Sequence, residues 1–373
     1  MKTTAAVLRS ADPSDDRYSG LRVEEVELLP PGRGEVLVQV AFAGICHSDL
    51  SVVNGTRIRP LPLVLGHEAS GVVAEIGDDV DDFQVGDHVV FSFVPPCGRC
   101  EWCVVGRPAL CAPGNRANSE GTLLTGSRRF VDADGATLSH HNGVSAFARH
   151  LVASRASLIR IEKTISLRDA ALFGCAVVTG VGAVLNSAGV TAGTGITIFG
   201  LGGIGLSAIA GARAAGAHPI IAVDRIARKL DLAVELGATH VVNAESDDPV
   251  AAVRALSRGG TPAVIESVGS ERVLAQAYAA TAVGGTTVTV GLPHPERQLS
   301  IPAISLVAEE RVIRGSYMGS AVPRRDVPRY LELYSAGQLP VDRLVSDVIP
   351  LESIADGMRA LASGDAIRQL ISM

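Results

Sequence analysis

A strand, a glycine-rich turn and an alanine-rich helix follow one another between residues 195 and 215 and constrain the fold of this chain most. The turn Gly200-Leu201-Gly202-Gly203-Ile204-Gly205 has the pattern G-x-G-x-x-G, and a second strand ends at Asp224. The three glycines allow a tight turn, close approach of the backbone to a pyrophosphate, and packing of helix on strand. Free N–H groups at the helix N-terminus bind phosphate. The pattern predicts a dinucleotide-binding βαβ unit.

The residues at the end of the second strand bear on the choice of coenzyme. Because Asp224 repels a 2′-phosphate, NAD is favoured over NADP, whereas the positive charge of the adjacent Arg225 argues in the opposite direction.

The sequence divides into two regions of different character. Residues 1–177 are predicted to be β-rich, with short strands near 35–41, 71–76 and 87–93 and a polar, glycine-rich surface loop at 112–143. Residues 178–318 alternate apolar strands with helical segments, which indicates right-handed crossovers and a parallel sheet. Residues 319–373 are predicted to be mostly helical and to return to the first region. The fold class is therefore α/β, with a β-rich lobe and a doubly wound parallel-sheet domain.

Composition excludes several classes of protein. The 373 residues carry a net charge of −6, 47% are hydrophobic and 19% charged, which does not fit a disordered chain or a nucleic-acid-binding protein. The N-terminus has no long apolar segment of the kind found in export signals. The longest apolar stretch, residues 196–212, is interrupted by five glycines and is predicted to be buried rather than membrane-spanning. These features predict a cytoplasmic protein with no membrane partner.

The six cysteines form two sets of candidate metal ligands. Cys97, Cys100, Cys103 and Cys111 lie within fifteen positions, which suits a closed tetrahedral zinc site, with an iron–sulfur cluster or disulfides as alternatives. Cys46 and Cys175, together with His67, have the residue types of a catalytic zinc site with an open fourth position. The spacing of these three residues in the sequence does not by itself show that they come together. On composition alone, the alternative to a zinc site is that the two cysteines are buried apolar residues and His67 is a core histidine.

Five segments in this order and separation resemble the zinc-containing alcohol dehydrogenases of the medium-chain dehydrogenase/reductase family: GICHSD, GHEASGVVAEIG, the four-cysteine segment, GCAVVTG and GLGGIG. The resemblance covers essentially the whole chain. It implies a GroES-like catalytic lobe and a Rossmann domain. It also implies a catalytic zinc on Cys46, His67 and Cys175, and a structural zinc on the four clustered cysteines. The implied reaction is reversible hydride transfer between a primary alcohol (aromatic, allylic or medium-chain) and NAD, giving the aldehyde. The resemblance also implies a homodimer or homotetramer, in which the apolar segment 301–318 is expected to form a strand that pairs across the subunit interface.

The resemblance also implies roles for individual residues. Ser48 would take the alcohol proton, Asp49 would fix the tautomer of His67, and Glu68 would lie near the metal. Ser51 occupies the position where many members have the histidine that ends the proton relay, so the final base is unassigned. The implied cofactor contacts are His47, Thr179, Gly200, Gly202, Gly203, Ile204, Gly205, Asp224, Arg225, Lys229, Val290 and Arg368. The implied substrate pocket consists of Phe93, Leu110, His141, Asn142, Leu292 and Tyr317, of which the polar pair 141–142 departs from the apolar pair of animal enzymes.

Three alternatives remain open. A thiol-dependent formaldehyde dehydrogenase, using glutathione or mycothiol, would need basic residues near the pocket, for which Arg57, Arg59 and Arg116 are candidates. A nicotinoprotein alcohol dehydrogenase would hold its NAD without releasing it. A zinc protein that uses the fold only for binding is disfavoured, because the metal ligands and Ser48 are all present.

Overall fold

The computed structural model describes residues 1–15, 17–364 and 366–373. The chain divides into two compact units, the first containing residues 1–175, 322–328 and 345–373 and the second containing residues 176–321 and 329–344.

The first part of the first unit is dominated by short strands. It contains the strands β1 (Lys2–Leu8), β2 (Leu21–Leu28), β3 (Glu35–Gly44), β4 (Leu63–Val64), β5 (Ala69–Ile76), β6 (His88–Phe91), β7 (Phe130–Val131), β8 (Thr137–His140), β9 (His150–Ser154) and β10 (Leu158–Ile161). Its helices are short: α1 (His47–Val53), α2 (Glu101–Val104), α3 (Ala112–Glu120) and α4 (Leu167–Ala170).

The second unit alternates helices and strands. In chain order it contains α5 (Ala176–Gly182), β11 (Ile196–Phe199), α6 (Gly203–Ala214), β12 (Ile220–Asp224), α7 (Ala227–Leu236), β13 (His240–Asn243), α8 (Pro249–Leu256), β14 (Thr261–Glu266), α9 (Glu271–Ala279), β15 (Thr281–Thr289), α10 (Ile304–Ala308), β16 (Val312–Gly315) and the later part of α11 (Pro323–Ser335). The six strands pair in parallel in the order β13-β12-β11-β14-β15-β16. Counted from β11, this is the order 3-2-1-4-5-6 of a doubly wound dinucleotide-binding sheet.

The chain ends in the first unit with β17 (Asp347–Pro350), α12 (Ile354–Ala362) and β18 (Gln369–Ser372). Strands β1, β2, β7, β8 and β4 close a barrel. A second sheet has the order β10-β6-β5-β3-β18-β17, with β9 also paired to β3. Large apolar side chains fill the core, among them the fully buried Phe91, Phe130 and Phe147. The predicted fold class, a β-rich lobe with a doubly wound parallel sheet, is confirmed.

Three details of the sequence prediction differ from the structure. Residues 112–143 are not a surface loop, because they contain α3, β7 and β8 and bury Leu123 and Leu138 in the barrel. The apolar segment 301–318 is not one strand, since α10 precedes the short edge strand β16. Residues 329–344 belong to the second unit rather than returning to the first; Arg343 forms an ion pair of 3.1 Å with Glu235 there.

No single helix among the described residues is long and apolar enough to cross a membrane. One bent pair, residues 167–174 with 176–187, reaches the length and composition of a span. The apolar stretch 196–212 forms β11, the glycine-rich turn and most of α6, and most of its side chains are buried.

A buried histidine makes the stability of the first unit depend on pH. His140 is fully buried, and its Nε2 accepts a hydrogen bond of 3.1 Å from the backbone N–H of Arg129, so this nitrogen is unprotonated. Burial lowers the pKa of His140 to about 3, and the opposing charge of Glu35 does not offset it. The unfolded chain therefore binds a proton below about pH 6.5 that the folded chain does not bind.

The substitution His140→Gln is expected to remove this part of the pH dependence, since a glutamine oxygen can accept the Arg129 N–H without titrating. Between pH 7.5 and 5.5 the wild-type chain should lose about 1.4 kcal/mol more unfolding free energy than His140→Gln. Urea unfolding at both pH values measures the difference, and the same change at the exposed His294 serves as the control. Equal losses in wild type and His140→Gln would contradict the prediction.

Candidate active site

Helix α1 and the turn before β5 bring Asp49 and His67 together in the first unit. Asp49 lies in the first turn of α1, where its Oδ2 accepts the backbone N–H of Cys46 at 3.1 Å. Its Oδ1 lies 3.0 Å from Nδ1 of His67, and both side chains are buried. Among the described residues, Nε2 of His67 has no hydrogen-bond partner. A buried imidazole nitrogen without a partner, on a ring fixed by a carboxylate, has the environment of a metal ligand.

Two sulfurs lie beside this nitrogen. The Sγ atoms of Cys46 and Cys175 and a ring nitrogen of His67 all lie within 4.8 Å of one another, and the three residues are buried. A hydrogen bond with Cys175 lowers the pKa of the Cys46 thiol well below its usual range, against the opposing effect of burial, and the Arg368 charge adds to the lowering. Two thiol groups and one imidazole form the donor set of a catalytic zinc site, so these residues fit the ion that the sequence implies.

Glu68 and Arg368 form a buried ion pair next to this group. Oε2 of Glu68 lies 2.8 Å from Nη2 of Arg368, while Nη1 donates to the carbonyl of Ile45 at 3.0 Å. Gly44 allows this packing, because a Cβ atom there would lie 2.9 Å from the Glu68 carboxyl carbon. The Arg368 guanidinium, to which the family resemblance gives a pyrophosphate contact, thus already forms contacts inside the first unit, and its cofactor role stays a prediction.

The remaining four cysteines gather in a separate group. The sulfurs of Cys97, Cys100, Cys103 and Cys111 lie within 4.8 Å of one another, and none of the six cysteines forms a disulfide. Backbone N–H groups point at the sulfurs: Cys97 N–H lies 3.2 Å from Sγ of Cys111, and Cys100 N–H lies 3.3 Å from Sγ of Cys97. A backbone hydrogen bond involving Cys103 lowers the pKa of Cys100 to about 6. Four clustered sulfurs, of which those of Cys97 and Cys111 accept backbone N–H bonds, fit a structural zinc ion.

The predicted pocket residues fall into two groups. Phe93 and His141 pack edge-on against the His67 ring, with centroids 5.5 and 5.4 Å away, and Asn142 is buried next in sequence. Leu110 is half-buried, while Leu292 and Tyr317, both in the second unit, are 50% and 37% exposed. The structure therefore brings Phe93 and His141 to the metal-ligand group.

The polar residues of α1 occupy different environments. His47 is exposed and Ser48 is half-buried. The hydroxyl of Ser51 donates to the backbone carbonyl of Ser48 at 2.8 Å, so it supports the helix turn. Of the basic residues considered for a thiol cofactor, Arg57 and Arg59 are half-buried and Arg116 is exposed.

The glycine-rich turn of the second unit joins β11 to α6. Gly200 has φ +87°, a conformation that glycine adopts easily, and a Cβ on Gly205 would lie 1.8 Å from the carbonyl oxygen of Gly200. A Cβ on Gly202 would meet no atom within 4 Å. Gly202 thus has no packing requirement within the protein, which fits a position where a ligand approaches the backbone.

Asp224, at the end of β12, is tied to this turn. Its Oδ2 accepts the N–H of Leu201 at 2.7 Å, and its Oδ1 accepts the N–H groups of Arg225 and Ile226 at 2.7 and 3.0 Å. The other predicted cofactor residues differ in solvent exposure. Gly203, Thr179 and Val290 are buried, Ile204 and Lys229 are half-buried, and Arg225 is exposed.

Two contacts were not predicted from the sequence. Ser267, after β14, donates to the carbonyl of Gly200 at 2.8 Å and so holds the glycine-rich turn. Nδ1 of His141 lies 3.1 Å from Oδ1 of Asp49, the oxygen that His67 also contacts. Neither residue belongs to a motif, and each contact joins segments far apart in the chain, so no local pattern signals them.

Comparison with known proteins gives matches to both units. A family model described as an alcohol dehydrogenase GroES-like domain matches residues 32–163, and one described as a zinc-binding dehydrogenase matches residues 203–336. The chain is 37% identical to an NDMA-dependent alcohol dehydrogenase of Amycolatopsis methanolica, covering 100% of this chain and 99% of the relative. It is 36% identical to a geraniol dehydrogenase of Castellaniella defragrans, covering 98% and 96%. The crystal structure of a benzyl alcohol dehydrogenase from Acinetobacter calcoaceticus is similar, with a TM-score of 0.91, 32% identity, and coverage of 100% and 99%.

Proposed function

Because the chain belongs to the zinc-type alcohol dehydrogenases of the medium-chain dehydrogenase/reductase family, we propose that it oxidises primary aromatic or allylic alcohols to aldehydes with NAD, reversibly. The observation that carries the proposal is the buried group of Cys46, His67 and Cys175, in which Nε2 of His67 lacks a hydrogen-bond partner among the described residues. Members of this family are oxidoreductases, and their fold provides for zinc and a nicotinamide cofactor.

In this proposal each residue of the group has a defined task. Cys46, His67 and Cys175 hold the catalytic zinc, and the four clustered cysteines hold a structural zinc. When bound, the catalytic ion supplies Lewis acidity that lowers the pKa of an alcohol hydroxyl. Asp49 keeps the proton of His67 on Nδ1, which leaves Nε2 free to act as a ligand. Glu68, although close to the ligands, is held by Arg368.

Ser48 is proposed to receive the alcohol proton on its Oγ, because a hydroxyl can accept one hydrogen bond while donating another. Substitution by alanine should lower turnover by about 100-fold, the lower end of the usual contribution of proton transfer. The matched change Ser51→Ala should lower turnover far less, since that hydroxyl donates to the Ser48 carbonyl. Steady-state kinetics of both variants test the assignment, and equal losses would contradict it.

The cofactor is proposed to bind at the glycine-rich turn of the second unit, with its pyrophosphate at the N-terminus of α6. Support comes from the open space at Gly202 and from the carboxylate of Asp224, which disfavours a 2′-phosphate. We expect kcat/KM with NAD to exceed that with NADP by at least about tenfold, equivalent to about 1.4 kcal/mol.

The substrate class is proposed from the pocket wall and from the relatives. Phe93 is buried and lies edge-on to His67, so it presents an aromatic wall next to the ligand group. The names of two similar proteins refer to geraniol and to benzyl alcohol. An unsaturated or aromatic alcohol fits both observations.

A nicotinoprotein, which would hold its NAD without releasing it, is the second candidate function, because one relative is named as an NDMA-dependent enzyme.

One experiment with several arms tests the proposed function and its alternatives. The purified protein is first examined for bound NADH by absorbance and fluorescence. Turnover of benzyl alcohol, cinnamyl alcohol and geraniol with NAD or NADP is then measured. Formaldehyde with glutathione or mycothiol forms a separate arm, which tests Arg57, Arg59 and Arg116 as thiol-cofactor residues. Activity only in that arm would replace the alcohol assignment, and activity in no arm would reject the proposed function.

A homodimer or homotetramer is also proposed. The edge strand β16 and helix α10 expose apolar side chains, with Ile304 72%, Val307 79% and Val312 42% exposed. An exposed sheet edge with apolar residues is a common site of association between subunits. Light scattering of the purified protein measures the mass, and a monomer would contradict the proposal.

A further inference from the structure

Two histidines share one carboxylate oxygen in the first unit. Oδ1 of Asp49 forms a hydrogen bond of 3.0 Å with Nδ1 of His67 and lies at an ion-pair distance of 3.1 Å from Nδ1 of His141, which is outside hydrogen-bond geometry. All three side chains are at most 1% exposed, and the two imidazole rings meet edge to face at 85°. Oδ2 of the same carboxylate accepts the N–H of Cys46.

The chemistry of this contact fixes where the hydrogens lie. An ionised carboxylate only accepts hydrogen bonds, so each nearby Nδ1 must carry a hydrogen rather than a lone pair. His67 then keeps its lone pair on Nε2, the nitrogen that lacks a partner among the described residues. The His141 N–H lies at an angle outside hydrogen-bond geometry, but at 3.1 Å its partial positive charge attracts the same oxygen, and this attraction restrains the carboxylate and, through it, the orientation of the His67 ring.

We propose that His141 is a positioning residue for the zinc-ligand group: through Asp49 it fixes the orientation of His67 and so slows the loss of the metal. This inference rests on the proposed function and deepens it, because it gives His141 a role beyond that of a pocket wall.

The backbone around His141 keeps its ring in place. The N–H of His141 donates to Oγ of Ser145 at 3.0 Å, and its carbonyl accepts the N–H groups of Val144 and Ser145. Asn142 and Ser145 have φ angles of 51° and 62°, which non-glycine residues adopt only when their surroundings require it. A turn that is held this tightly can keep a neighbouring side chain in one orientation.

Three substitutions separate positioning from simple packing. Asparagine at position 141 carries its amide nitrogen the same number of bonds from Cβ as histidine carries Nδ1, whereas leucine has a similar shape but no donor. The same leucine substitution at His140, which is also buried but packs against Phe130, is the matched control. The zinc-loaded enzymes are mixed with a chelator near neutral pH, and the release of each ion is followed over time.

His141→Leu is expected to release one of its two zinc ions about tenfold faster than wild type, the lower end of the cost of losing an outer contact to a metal ligand. His141→Asn should release it within about twofold of the wild-type rate, and His140→Leu should match wild type. The proposal would be overturned if His141→Leu released zinc at the wild-type rate. It would also be overturned if zinc release from His141→Asn or His140→Leu were accelerated as much as release from His141→Leu. If His141→Leu does not fold, His141→Asn against His141→Gln gives the same contrast, since glutamine places its amide one bond further out.

The release rate does not depend on turnover, so the two proposals can fail separately. A wild-type chain that holds two zinc ions but oxidises no alcohol would reject the proposed function while leaving the His141 comparison valid. A wild-type chain with full alcohol activity and unaltered release from His141→Leu would reject only the role of His141.

Discussion

The substitution Cys46→Ser is expected to lower the zinc content from two ions per chain to one and to reduce alcohol oxidation by about 1000-fold or more. Thiolate is a far better ligand for zinc than a serine hydroxyl, and the Lewis acidity of the ion is worth several kcal/mol in the transition state. The fold should persist, because Cys46 occupies the N-cap of α1, where serine is a favoured residue. Metal analysis, circular dichroism and turnover measure the three expectations.

The matched variant is Cys103→Ser in the other cysteine group. It should also lose one zinc ion, but its main effect should be on the stability of residues 97–111, because four-sulfur zinc sites contribute directly to folding. Limited proteolysis is expected to cleave this segment in Cys103→Ser and not in Cys46→Ser. Two zinc ions and normal turnover in Cys46→Ser would contradict the assignment of the catalytic ligands.

The substitution Gly202→Ala is expected to weaken NAD binding by at least about 100-fold, equivalent to about 2.7 kcal/mol, while leaving the protein folded. Its added methyl group meets no protein atom within 4 Å and occupies the space reserved in our proposal for the pyrophosphate. The backbone of Gly202, with φ −77°, is accessible to alanine, so unfolding free energy should change by less than about 1 kcal/mol. Titration with NADH and urea unfolding test both parts.

Gly205→Ala is the contrasting variant in the same turn. Its Cβ would lie 1.8 Å from the Gly200 carbonyl oxygen and 2.9 Å from Oγ of Ser267, so the turn must shift. We expect a loss of about 3 kcal/mol in unfolding free energy, the upper range for overpacking. If Gly202→Ala binds NADH as tightly as wild type, the pyrophosphate does not lie at this turn.

The fold of the second unit was predictable because its signals are local. The glycine-rich turn, the preceding strand and Asp224 lie within one βαβ unit, and alternating apolar strands and helices identify the parallel sheet. Residues 112–143 were predicted wrongly because α3 is short, polar and glycine-containing, so its sequence does not show the apolar periodicity of a helix. Ala117 and Asn118 of this helix are buried against other parts of the chain, and a local stretch of sequence contains no information about such tertiary packing.

The candidate site was predictable only in part. No spacing rule joins Cys46, His67 and Cys175, because α1 and β4 lie between the first two residues and the segment from β5 to α4 lies between the last two. Pairing of β3 with β5 brings Cys46, just after β3, close to His67, just before β5. Family resemblance identified these residues, whereas the contact of His141 with Asp49 follows from long-range packing that neither motif nor resemblance encodes.

Attempts to redesign the enzyme for NADP would begin at Asp224, and the structure sets a condition on them. The carboxylate already serves the protein itself, since it accepts the Leu201 N–H from the glycine-rich turn and two further N–H groups. A replacement that lacks a hydrogen-bond acceptor would remove the repulsion of a 2′-phosphate. It would at the same time release the turn at which we propose that the pyrophosphate binds. Asparagine, which is uncharged but keeps a carbonyl oxygen within reach, is therefore the rational first choice for changing coenzyme preference.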